Sequence, residues 1–515
     1  IANGGRVNAD FSTFWDNKWY GEARIHEGYW VAEFAIPFKT LRFPEGSQRW
    51  RFNSYRFDTH VNEISTWSQI PRNQIIMDLA YMGEMIWDKP LKKPGANLSV
   101  IPYLIGNGTR DFEGKSEKTD FGFNGGADAK VALTSGLNLD LTVNPDFSQV
   151  EVDQQVTNLD RFEIFFPERR QFFLENADLF GSFGQRHINP FFSRRIGVAV
   201  DTATGQNIQN PILYGARLSG KLNENLRVGL LNMQTARQQE NGLPAFNYTV
   251  AAVQQKVFSR SNISFILVNK EAVNGATHGG DFKPYNRVAG LEYRLATPDN
   301  RWTGKAFWHQ AFTPSEAPAK YSQGLQIEYL RRDFRLEWAH IFIGEGFDAE
   351  VGFVPRRDML LLSPEAGLFF YPKKGIVNQH IIGIDTRLIL KPGQDGNPLL
   401  PAWGASDREI EGTWEMSFKD NSRGSVNYNY NYVFLFSDFD PTRVQADSVR
   451  LMAGSTFSYS SVNASYQSDR TKKFSFESTP TIGQFYGGFR TGMRGSLTYR
   501  YQPYGFVLVD YTFNR

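Results

Sequence analysis

The chain of 515 residues contains no cysteine. Disulfides, thiolate metal sites and a cysteine nucleophile are therefore excluded, while the compartment stays open. No run of eighteen apolar residues occurs either, which excludes a transmembrane helix. Charge of one sign is missing as well: 56 basic and 54 acidic side chains leave a net +2. No Lys/Arg run offers a footprint for nucleic acid, so none is expected as a partner. The seven histidines are scattered without a His-x-x-x-His pair, so no zinc and no other cofactor is expected. Gly-x-Ser-x-Gly and phosphate-loop spacings are absent too.

What is present is a rhythm. Val426-Asn427-Tyr428-Asn429-Tyr430-Asn431-Tyr432 alternates, as do residues 410–418 and 137–143. Successive strand side chains point to opposite faces, so each segment has one apolar and one polar face. From about residue 97 the alternation predicts nineteen strands, ending with 424–436, 447–459, 462–471, 490–501 and 505–513. Their connections run alternately long and short. Asn223-Glu224-Asn225 and Pro298-Asp299-Asn300 are tight turns, whereas 272–284, 391–406 and 472–489 are longer and polar. Aromatics reach 15%, which suits the girdles of a membrane barrel. The predicted class is all-β: a large antiparallel transmembrane β-barrel of about 20 or more strands, preceded by a partial β-sandwich.

The organisation follows. Residues 1–90 have shorter strands and irregular turns, 91–96 is a Pro/Gly/Lys linker, and 97–515 is the barrel. Short turns lie on the periplasmic side and long loops outside. The long first connection, 107–120, thus puts the amino-terminal part in the periplasm. Single-chain bacterial barrels usually have an even number of strands, so nineteen predicts that the sequence stops before the barrel closes at its carboxyl end.

One segment breaks the rhythm. Within 146–210, the stretch Pro167–Phe180 reads as a helix, with Pro first and Phe173, Leu174, Ala177 and Phe180 on one stripe. A sixty-residue connection inside a barrel is expected to be a plug, a lid or a partner-binding loop. Its candidate plug or gate residues are Glu168, Arg169, Arg170, Phe172, Phe173, Glu175 and Asp178, whose charges can pair with a polar lumen wall. Charged alternates such as Glu292 with Arg294 and Arg335 with Glu337 supply that wall.

Trp30-Val31-Ala32-Glu33-Phe34-Ala35-Ile36-Pro37-Phe38, followed by Trp50-Arg51-Phe52-Asn53, resembles the carboxyl half of a family 9 carbohydrate-binding-module-like domain. Phe165-Phe166-Pro167-Glu168-Arg169-Arg170-Gln171-Phe172-Phe173-Leu174-Glu175-Asn176 resembles the signature of an uncharacterised Gram-negative outer-membrane family, in which such a domain precedes a large barrel. The resemblance implies a signal peptide and half a sandwich upstream, and further strands downstream. It implies no catalytic residues.

Sugar rings stack on exposed aromatic faces, which makes Trp15, Trp19 and Trp67 the candidate glycan contacts, while Trp30 and Trp50 are expected in a core. With 54 acidic residues spread along the chain, no carboxylate pair stands out for glycoside hydrolysis. The reading is a non-enzymatic protein of the cell outer membrane that transports, or scaffolds an envelope assembly. Its partners would be outer-membrane lipid and lipopolysaccharide, other envelope proteins and glycan. The alternative is an outer-membrane hydrolase acting on glycan or lipid.

Overall fold

The computed structural model describes residues 19–38, 41, 43–58, 63–70, 81–92, 98–110, 119–134, 136–145, 162–185, 188–200, 207–239, 242–273, 282–392, 403–441, 450–501 and 505–515. Six short strands come first: β1 (Tyr20–His26), β2 (Tyr29–Ala35), β3 (Arg49–Phe52), β4 (Tyr55–Asp58), β5 (Glu63–Thr66) and β6 (Gly83–Ile86). They pair as three separate two-stranded ladders, β1–β2, β3–β6 and β4–β5. Phe38, Phe43, Trp50 and Trp87 cluster beside them, with ring centroids 5.1–5.8 Å apart. Trp50 is half-buried there, as expected of a core residue. Trp30 is not: it is 56% exposed, because among the described residues nothing covers its face of the β1–β2 hairpin.

The larger part is a barrel. It opens with β7 (Leu98–Arg110), β8 (Thr119–Ala132) and β9 (Leu137–Val143). An excursion follows, holding α1 (Gln171–Leu174), α2 (Ala177–Gly181), β10 (Val198–Val200) and β11 (Asn207–Gln209). The wall resumes with β12 (Ile212–Lys221), β13 (Leu226–Thr235), β14 (Ala245–Val257), β15 (Ser261–Val273), β16 (Tyr285–Ala296) and β17 (Trp302–Phe312). Next come β18 (Tyr321–Leu330), β19 (Phe334–Ile343), β20 (Met359–Phe370), β21 (Val377–Pro392) and β22 (Trp403–Phe418). It ends with β23 (Arg423–Phe434), β24 (Thr456–Gln467), β25 (Phe474–Phe485), β26 (Gly488–Tyr501) and β27 (Gly505–Asn514). β9 pairs with β12 across the excursion, and the nineteen strands form one closed barrel with β27 beside β7, so the odd count does not leave the wall open as expected. In a meander of odd count the first and last strands run the same way, so this one junction is parallel.

The outer face is that of a membrane-spanning wall. Leu230, Leu291, Trp308, Trp338, Ile382 and Trp414 are exposed on it, while their sequence neighbours face inward. Aromatic rings mark both rims. Trp308 stacks on Tyr321 at 4.4 Å toward the long connections, and Trp302 meets Tyr329 at 4.6 Å toward the short turns. Such paired girdles belong at the two membrane interfaces.

Two strand assignments change. The predicted strands 447–459 and 462–471 give way to the single strand β24, and the predicted connection 472–489 contains β25. The two differences cancel, so the count stays nineteen. Pro480 explains the second. Proline cannot donate to a ladder and reads as a strand breaker. Here pairing of β24 with β25 skips it, running from Asn463↔Thr481 to Tyr466↔Ser478, and the barrel tolerates the lost rung.

Candidate functional site

The excursion folds into the barrel. Its rings and aliphatic side chains, among them Phe172, Phe173, Leu179, Phe180, Ile188 and Ile196, join inward residues of the wall such as Met233, Val250, Ile266 and Val288 in one buried cluster. The connection between β19 and β20 turns inward as well and adds Phe347, Ala349 and Val351. Its Asp348 and Glu350 hold Lys283, and Glu350 also holds Lys270 at 2.7 Å. Burial pushes the Lys283 ammonium down, but these two carboxylates outweigh it and raise it above the ordinary lysine value.

Each plug candidate now has a place. Glu168 and Arg170 form an internal staple: Arg170 Nη2 donates to Glu168 Oε2 at 2.7 Å and to the Ser193 carbonyl at 2.6 Å, and Nη1 to the Ile196 carbonyl at 2.8 Å. The staple ties the descending limb of the segment to the ascending one. Burial pushes Glu168 up, yet the Arg170 guanidinium and hydrogen bonds from Arg170 and Ser193 hold it below the ordinary carboxylate value. Arg169 is half-buried, and its amide donates to Glu168 at 3.0 Å. Phe172 and Phe173 are core.

Glu175 and Asp178 are the wall anchors. Glu175 pairs with Lys130 of β8 and accepts from Asn138 of β9 at 2.8 Å. Asp178 takes both arms of Arg227 on β13, at 2.7 and 3.1 Å. Farther along, Glu292 accepts from the Gly184 amide and meets His309 at 3.0 Å, while Lys305 donates to the Ser182 carbonyl at 2.7 Å. Lys130, Asn138, Arg227 and Lys305 lie near the short-turn ends of their strands, so α1 and α2 reach deep into the barrel.

The single predicted helix over 167–180 is replaced by two short ones. Asn176 sits between them in the left-handed region with φ 50°. Its amide donates to Ser219 of β12 at 3.0 Å, and the contacts of Glu175 and Asn176 with the wall replace a continuous helical ladder. Residues 146–161, also assigned to this segment, lie outside the described residues.

The interior is therefore uneven. Along β12–β17 and one end of β19 and β20, inward side chains are buried by the segment. Along β22–β26 they are partly open to water: Asn427, Asn463 and Thr481 share one cross-strand row, and Glu411, Asn429 and Ser461 another. A row of five carboxylates crosses five strands at the edge of this open side, running Glu328↔Glu337↔Glu365↔Asp385↔Glu411. Like charges set directly opposite destabilise a sheet. Arg335 offsets three of them, reaching Glu328 at 3.0 Å, Glu337 at 2.6 Å and Glu365 at 2.8 Å. Asp385 and Glu411 continue the row toward water. The alternation announced inward charge on each strand, but only the register aligns the five.

The glycan candidates are not brought together. Trp15 lies outside the described residues. Trp19 is 54% exposed beside Phe34, and Trp67 is 57% exposed, edge-on to Phe52 at 5.5 Å in a different ladder. Among the described residues, no group of three or more His, Asp and Glu is placed to hold a metal.

A closed wall, antiparallel but for one junction, apolar outside and holding a folded segment of its own chain within, defines a transmembrane β-barrel with an internal occupant. The chain belongs to the family described as domain of unknown function DUF5916, whose model matches residues 94–515. No curated protein matches it. Solved structures similar to it include OccK9 (OpdG) of Pseudomonas aeruginosa, 12% identical, covering 82% of this chain and 99% of that one at a TM-score of 0.32. OccAB4 of Acinetobacter baumannii is also 12% identical, covering 82% and 98% at 0.33. The siderophore receptor PirA of the same organism is 8% identical, covering 85% and 70% at 0.36.

Proposed function

We propose that the chain is a non-enzymatic transport channel of the cell outer membrane, with its long connections outside the cell and its lumen partly closed by residues 162–200. The uneven interior carries this reading. One side is filled by a buried apolar cluster, while the other is lined by partly exposed Asn, Ser, Thr and carboxylate side chains, with Arg387 paired to Glu409 at 2.7 Å among them. A purely structural wall has no use for a hydrated half. The carboxylates at its edge favour cationic or strongly hydrogen-bonding solutes over anions.

Single-channel recording in planar bilayers tests it. Removing residues 162–200 is expected to raise conductance severalfold, and Asp385→Asn with Glu411→Gln to lower the preference for cations. Unchanged conductance in a deletion variant that still shows the heat-dependent gel shift of a folded barrel overturns the channel reading. A second reading, a permanently filled scaffold for envelope proteins, is favoured by the continuity of the segment's core with the wall. It expects closed wild-type barrels and stoichiometric co-purification with a partner in mild detergent.

A further inference from the structure

The outer face of the wall is not smooth. Between Trp302, Tyr329 and Trp338 it sinks over the small side chains of Pro364 and Ala366, and a groove of about 440 Å³ opens there. Pairing of β20 with β21 runs to Leu362↔Leu388 and resumes only at Glu365↔Asp385. Pro364 has no amide hydrogen to give its neighbour, so the sheet loses a rung at the groove. Glu337 and Glu365 border the groove from within the wall, their carboxylates held by Arg335 on the lumen side. Apart from Thr386, the rest of the lining is apolar or aromatic and faces outward.

Charge gathers at one end of this groove. Trp302 directly follows Arg301, and Tyr329 stands two residues before Arg331 and three before Arg332. The neighbouring turn between β20 and β21 adds Lys373 and Lys374. Asp299 lies 3.4 Å from Arg301 and Asp333 lies 3.3 Å from Arg331. Arg332, Lys373 and Lys374 are exposed and share no ion pair with them. Four residue steps, at most about 13 Å of chain, lead from Arg332 in the turn to Leu336 on the groove wall.

We propose that the groove and these turns seat one diacyl phospholipid with an anionic head group, drawn from the periplasmic leaflet. An acyl chain lies over Pro364 and Ala366 between the three aromatic rings. The phosphate sits among Arg332, Lys373 and Lys374. An apolar groove alone would take any lipid tail, and a basic rim alone would attract any anion. Their continuity on one face selects a molecule that is both. The assignment rests on the outer-membrane sidedness above but not on transport, so the conductance experiment can fail without touching it.

The test uses the full chain in phosphatidylcholine vesicles carrying a minor fraction of acyl-brominated lipid, with tryptophan fluorescence as the readout. Brominated phosphatidylglycerol is expected to quench several times more effectively than brominated phosphatidylcholine at equal fraction. Replacing Trp302 and Trp338 by Phe removes that excess. Charge reversal at Arg332, Lys373 and Lys374 abolishes that excess, and raised salt weakens it in the same direction. Those turn residues are exposed, so the barrel folds without them. Ala366→Leu fills the groove and reduces quenching by both lipids. Equal quenching by the two lipids means annular contact only and overturns the proposal. So does an excess that survives the charge reversal or the loss of Trp302 and Trp338.

Discussion

Gly229 faces inward on β13 beneath α2, where an added Cβ would lie 2.5 Å from the Phe180 ring and 3.0 Å from Leu179. The wall gives up a side chain there to admit a phenylalanine. Gly229→Val is therefore expected to destabilise the seated segment by roughly 1–3 kcal/mol, the usual cost of overpacking a filled site. Limited proteolysis reads the result as faster cleavage within 162–200 while the barrel stays intact. Gly412→Ala is the control, because nothing lies within 4 Å of its added Cβ. Glu168 makes a pH prediction. Its folded value lies below its unfolded one, so its contribution is full above the ordinary carboxylate range and is lost as pH falls through the depressed value. The segment should resist protease equally from neutral pH down to about 4.3, the free glutamate value, and open only below it. Glu168→Gln leaves the buried Arg170 without its counter-charge and should cost about 3 kcal/mol at neutral pH. Denaturant midpoints of the two proteins at pH 7 check that figure.

At the scale of elements, the segment was legible as an interruption but not as a shape. Pro167, the acidic first turn and the aromatic stripe favour one helix by local rules. Those rules cannot weigh Lys130, Asn138 and Ser219, which are distant in sequence and draw Glu175 and Asn176 out of helical geometry. The roles of Glu175 and Asp178 as wall anchors follow from their charge, whereas the internal staple of Glu168 and Arg170 needs the chain reversal that brings Ser193 back. β25 was missed for a similar reason: Pro480 breaks a strand locally, yet neighbours on both sides hold it in the sheet. The anchor of α2 can be tested by exchange of partners. Asp178→Arg or Arg227→Asp alone sets like charges together and should release the segment to protease. The double exchange should recover most of the protection, since the pair is bidentate and its side chains are only 19–22% exposed. A double exchange no better than either single change would mean that α2 is held by its apolar face alone.

At the scale of the molecule, alternation and connection length were enough to read a membrane barrel, because both are properties of each strand by itself. Registers are properties of pairs, so the five aligned carboxylates and the uneven filling of the lumen were out of reach. Filling also raises the question of motion. A segment joined to the wall by a continuous core and by anchors on β8, β9, β12, β13, β16 and β17 leaves only as a unit, and only if those contacts break together. The chain has no cysteine, so an introduced pair is its sole disulfide. Asn176 Nδ2 donates to Ser219 Oγ at 3.0 Å, so cysteines at these two positions face each other. In the Asn176→Cys, Ser219→Cys variant, oxidation is expected to abolish the largest conductance steps and reduction to restore them, with small steps through the hydrated half unaffected. If oxidation leaves every conductance level unchanged, the segment never leaves the wall. On the proposed channel reading, solute would then pass beside it, along the carboxylate row.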